Sequence, residues 1–201
     1  MAERPFTRDL AIAITIGCAL VIARSAVFVW YQQSFFDSDQ AIVGLMAKHL
    51  SEGRAFPLFF YGQSYMLGVD AWLAALVFLV TGPSVSALHA TLMVESVVAV
   101  SVLILALHRA DRVSPYVALI GLLPIAFAPP ITSSYFMDGA ASAAPFAYIA
   151  LLWMLRTRPL AFGALLAIGF LQREFVFYAA ISLAALELLD GTLWRRDRIR
   201  Q

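Results

Sequence analysis

A run such as Ser96 to Leu107, SVVAVSVLILAL, leaves a chain little choice of fold. It carries no charge, does not alternate apolar with polar residues, and recurs in kind along most of the sequence. Spanning the hydrocarbon of a bilayer takes about 20 such residues as a helix. Within lipid the backbone must satisfy its own hydrogen bonds, so the runs are helices or strands of a closed barrel. A barrel would show a two-residue alternation, and these runs do not. Composition agrees: 62% of the 201 residues are hydrophobic and 13% are charged, with a mean hydropathy of +0.82. A soluble domain carries about a quarter charged residues. The expected class is all-α: a polytopic helical membrane protein forming a single transmembrane domain over 1–201.

The net charge of +1 argues against nucleic acid as a partner. The single cysteine, Cys18, lies inside the first apolar run and can close no internal disulfide. No CxxC, HExxH, Walker or GxGxxG pattern occurs. His49, His89 and His108 are dispersed, so no metal site is expected. Arg4 and Arg8 precede an apolar stretch in the manner of a cleaved leader, but that stretch continues past Arg24 to Trp30.

Ten of the 14 Lys and Arg residues fall in four clusters. These are Arg4 and Arg8; Arg109 and Arg112; Arg156 and Arg158; and Arg195, Arg196, Arg198 and Arg200. The positive-inside rule places such clusters in the cytoplasm, so each interval between them must cross out and back. The rule predicts six crossings, at about 10–30, 85–108, 113–131, 139–156, 160–172 and 175–191, with both termini cytoplasmic. The last two are short for a core of about 30 Å. A large external juxtamembrane segment, about 31–84, remains. Its apolar run from Met66 to Val80 is expected to lie in the outer interface or dip in and out; a seventh crossing would invert everything downstream.

That external segment carries the chemistry. Asp37 suits an N-cap with Gln40 three residues on, a capping-box arrangement. A helix over 39–52 would place Ile42, Leu45, Met46 and Leu50 on one face, with Gly53 as C-terminal cap. Phe56, Phe59, Phe60, Tyr61 and Tyr65 have the character of an interfacial aromatic belt, serving as anchors or as pocket walls. Asp37 and Asp39 serve equally well as ordinary caps on a solvated helix start. Intramembrane ionisable groups are expensive and mark sites by default. Arg24, Asp70, Glu95, Asp138, Arg173 and Glu174 all lie in or at the ends of apolar runs. The inferred topology puts Asp37, Asp39, Asp70, Asp138 and Arg173 on the outer side together. Arg24, about two turns below that surface, is free to snorkel or to pair with an acid. Glu95 has no expected role beyond packing with a polar partner, and Arg173 and Glu174 could simply mark a solvated turn.

At these residues the chain resembles bacterial membrane glycosyltransferases of the GT-C fold. The branch in question is similar to dolichyl-phosphate-mannose protein mannosyltransferases (glycosyltransferase family 39) and to lipid A aminoarabinose transferases. The resemblance rests on Arg24 late in the first helix, on Asp39-Gln40 before AIVGLMA, and on FFYGQSYM with Asp70 as the following acid. It continues through TGPS at Thr81–Ser84, Asp138 in SSYFMDGAASAAP, and GFLQRE ending at Glu174. Gln40 stands where the family usually has Glu, and the chain looks like the N-terminal half only of such a protein.

The resemblance implies an inverting transfer of a sugar from a polyprenyl-phosphate donor to an acceptor at the outer face of the inner (plasma) membrane. In that reading Asp39 is the base, with Asp37 second, and Asp138 orients the acceptor. Arg173, Lys48 or Arg54 holds the phosphate, while Tyr61, Gln63, Tyr65 and Asp70 line the sugar pocket. The interfacial helix guides the lipid tail. No cofactor is expected, with use of a divalent metal left open. Membrane lipid, the sugar donor and a partner chain supplying the missing helices are the implied partners. The competing readings are a truncated or split, non-catalytic scaffold subunit and a small lipid or solute transporter subunit. Transport predicts charges along a path through the membrane, whereas these gather near one face.

Overall fold

A computed structural model describes residues 6–31, 36–138 and 144–189. Helix accounts for 77% of them, with no strand. Nine helices run in chain order among the described residues: α1 Arg8–Trp30, α2 Ser38–Ser51, α3 Val69–Thr81, α4 Val85–Ala110, α5 Pro115–Ala126, α6 Pro130–Phe136, α7 Ala144–Leu155, α8 Pro159–Gln172 and α9 Val176–Leu189.

The two longest helices are membrane spans by length and composition. α1 has 23 residues and α4 has 26, which is about 35 and 39 Å at the α-helical rise. α5 and α6 qualify together as a third, bent by 91° between them. The break has a plain cause: Pro124 lies inside α5, and Pro129 and Pro130 open α6. The protein is therefore a helical, membrane-associated chain with two or three full-length apolar spans among the described residues. The sequence reading made the regions of α7, α8 and α9 crossings. Their described lengths of 12, 14 and 14 residues reach only about 18–21 Å. α3, at 13 residues, covers about 20 Å, fitting a helix that does not cross alone.

α4 is the spine. It packs against α1, α3, α5 and α7. Leu10, Val21, Val100, Ile104 and Leu119 form one core. At Gly17 a Cβ would lie 3.1 Å from both Val100 and Ile104, so glycine allows α1 and α4 to approach there. Further along, Phe28 of α1 meets Leu92 of α4 and Met137 after α6. The two helices therefore run antiparallel.

The same logic orders the other helices. At one end, Tyr116 donates to Asp9 (3.3 Å) and Trp153 Nε1 donates to Asp111 (3.2 Å). At the other, Phe136 packs on Phe146, and Tyr148 donates to Gln172. Arg8, Arg109, Arg112, Arg156 and Arg158 thus belong to helix ends on one side of the bundle. The start of α2, the start of α3, Asp138 and the α8–α9 turn belong to the other. The clusters at Arg4 and at Arg195–Arg200 lie outside the described residues.

Candidate functional site

α8 ends at Gln172 because the backbone turns extended at Arg173, and that turn meets the start of α3. Leu67 N–H donates to the Leu171 carbonyl (2.8 Å). Just beyond, Arg173 Nη2 lies 3.4 Å from Asp70 Oδ2, with both side chains buried. Gln172 Nε2 donates to Asp70 Oδ1 (3.1 Å), and Arg173 Nη1 lies 2.8 Å from Met66 Sδ. The Gln172 side-chain oxygen in turn accepts from the Tyr148 hydroxyl of α7. Gly169 makes room for that ring: a Cβ there would come within 3.1 Å of Tyr148 Cδ1. The result is a continuous chain from Tyr148 through Gln172 and Asp70 to Arg173. Taking either ion alone out of water costs several kcal/mol, so the pair is tenable because hydrogen bonds reinforce it.

In front of this chain is a cavity of about 510 Å³. Asp70, Glu95, Tyr148 and Gln172 supply polar groups to it, and aliphatic side chains of α3, α4 and α7 complete its wall. Tyr148 lies within electrostatic reach of both Asp70 and Glu95. Arg173 does not line the cavity; it sits behind Asp70.

A second buried polar junction joins α1, α2 and α4. His89 Nδ1 is 2.9 Å from the Phe28 carbonyl, and its Nε2 is 2.7 Å from the Gln40 side-chain oxygen. A neutral ring that donates from Nδ1 accepts at Nε2, so the Gln40 amide must present its nitrogen, or the ring is an imidazolium. Gln40 is thus an inward-facing structural group. Asp37 accepts from Gln40 N–H (2.9 Å), the N-cap bond expected of it. Asp37 and Asp39 are both exposed on the entry to α2, and Asp138 is half-buried beside Met137.

The other expected residues are more scattered. Lys48 (4.0 Å) and Arg54 (2.9 Å) both face Glu52 at the exposed end of α2. The Tyr61 hydroxyl is 2.8 Å from His49 Nδ1. Tyr65 is 68% exposed, and neither it, Tyr61 nor Gln63 lines the cavity. A common pocket for those three and Asp70 is not what forms: only Asp70 reaches the cavity. Arg24 is buried in α1 with its guanidinium 4.8 Å over the Phe136 ring. None of its three nitrogens has a hydrogen-bond partner among the described residues. No group of three His, Cys, Asp or Glu side chains with metal-binding geometry occurs among the described residues.

Sequence reasoning missed Tyr148 and gave Glu95 no role at the site. Glu95 had a signal, a carboxylate in an apolar run. Tyr148 and Gln172 had none, because aromatics and amides are common at bilayer depth. Compared with protein-family models, curated proteins and solved structures, the chain matches none.

Proposed function

We propose that this protein transfers a sugar from a polyprenyl-phosphate donor to an acceptor at the outer face of the membrane. Six crossings and cytoplasmic termini are part of the proposal, with the short helices tilted or packed as partners. The observation that carries it is the two-ended bundle: arginine-rich helix ends on one side, and Asp37, Asp39, Asp70, Asp138 and Arg173 on the other. The positive-inside rule makes the second end external, the side on which a lipid-linked sugar would be used.

Asp39 is the base in this reading. It is exposed on the first turn of α2, whereas Asp37 is engaged as the cap. The carboxylate takes the proton of the acceptor hydroxyl as that oxygen bonds to the anomeric carbon. The bond from that carbon to the phosphate oxygen breaks on the opposite face, and the lipid phosphate leaves with its electrons. Lys48 and Arg54, exposed at the far end of α2, are the cations available to that phosphate. Arg173, bound to Asp70, instead holds the 59–67 segment against α8.

The test is a titration of the reconstituted protein with polyprenyl-phosphate hexoses, followed by a transfer assay. Saturable binding weakened by Lys48→Ala with Arg54→Ala is expected. Asp39→Asn should bind donor normally and transfer at least about 10²-fold more slowly. Full transfer by Asp39→Asn would remove the base assignment, and no binding by folded wild type would remove the reading.

A further inference from the structure

The cavity between α3, α4 and α7 is polar at one end and apolar along the rest. Asp70, Glu95, Tyr148 and Gln172 form the polar end. From Asp70 to Val77 the α3 wall turns aliphatic and runs about 10 Å away from it. On α4 the same change runs from Glu95 to Val98. The mouth is itself apolar: Leu73, Leu76, Val94 and Val98 line the cavity yet are 41–62% exposed. Val94 and Val98 belong to α4, a helix long enough to span, where such exposure faces hydrocarbon, so the cavity opens sideways to lipid. Among the described residues the polar end has two acids and no lining cation, Arg173 being behind Asp70. Carboxylates accept hydrogen bonds and repel anions, all the more where water is scarce.

We propose that this cavity binds a hydroxyl-bearing amphiphile from the bilayer, with its neutral head on Asp70, Glu95, Tyr148 and Gln172 and its tail along Leu73, Leu76 and Val98. Arg173 offsets the charge of Asp70, so Glu95 is the carboxylate that disfavours a phosphate head there. The binding does not rest on the transfer reading above, in which the attacking hydroxyl must reach Asp39, outside this cavity.

The experiment uses nanodiscs of phosphatidylcholine containing the full chain. The probes are an alkyl glucoside and an alkyl phosphate, each with a diazirine in its tail. Photolabelling by the glucoside should saturate, map to α3, α4 and α7, and be displaced by octyl glucoside but not by octyl phosphate. Leu76→Trp, which fills the tail region, should abolish it. Glu95→Gln should weaken it about tenfold, the scale of one hydrogen bond to a charged group. Val98→Trp provides a second block should Leu76→Trp fail to fold. Equal labelling by the alkyl phosphate, or non-saturating labelling spread over all lipid-facing helices, would overturn the proposal. Saturable labelling without sugar transfer would sink only the transfer reading, and transfer without labelling only this one.

Discussion

Asp70 and Arg173 are each buried among apolar helices, and each is tolerable only with the other present. Asp70→Asn should therefore lower stability by about 3–5 kcal/mol, the usual cost of orphaning one member of a buried pair. Adding Arg173→Met should restore most of it, since the second change removes the orphaned charge. Thermal melts of the two single variants and the double variant form the cycle that checks this; additive losses would mean that the two side chains are not coupled. Arg24 is the opposite case. Its stacking on Phe136 leaves every guanidinium nitrogen without a hydrogen bond among the described residues. Arg24→Met should then be neutral or stabilising by about 1–4 kcal/mol, seen as an unchanged or raised melting temperature. A marked fall would show that the cation has a structural partner after all.

Among the elements, α2 shows best what was legible. Its cap at Asp37 and its stop at Gly53 were both readable from residue type. The structure adds the reason for the stop: Gly53 has φ of +66°. Its N–H donates to the Leu50 carbonyl, and Arg54 N–H donates to that of His49, which closes the end as a Schellman motif. Gly53→Ala should cost about 1–2 kcal/mol by forcing a Cβ into the left-handed region, measurable as a lowered unfolding midpoint. The rotation of α2 was not legible. Apolar spacing pointed to a face of Ile42, Leu45, Met46 and Leu50; Met46 is buried as expected, but Leu45 is 46% exposed, and Val43 and Ala47 are buried in its place. Gln40 accounts for this. Its bond to His89 turns α2 so that a polar residue faces inward, and no apolar count weights a polar residue that way. The bend between α5 and α6 was likewise hidden. Its prolines were in plain view, but the stretch read as one crossing by hydropathy, which does not register direction.

For the molecule as a whole, the gathering of the described arginine clusters at one end of the bundle was legible, because charge clusters obey a rule that needs no packing information. Single cysteines near Arg112 and near Asp138 in right-side-out vesicles should differ in labelling by an impermeant maleimide: silent at the first, reactive at the second. Reaction at both, or the reverse pattern, would overturn the orientation. The cavity was not legible, since its polar end is assembled from α3, α4, α7 and α8, and no local spacing links them. That assembly also sets an order in time. Asp70 and Arg173 stand 103 residues apart in the chain. At synthesis rates of about 5–20 residues per second, the acid is made roughly 5–20 s before its partner. During that interval α3 holds a carboxylate with no guanidinium to meet it, so it must wait at the water's edge. The cavity can close around its polar end only after α8 has been delivered, long after the helices that form most of its wall.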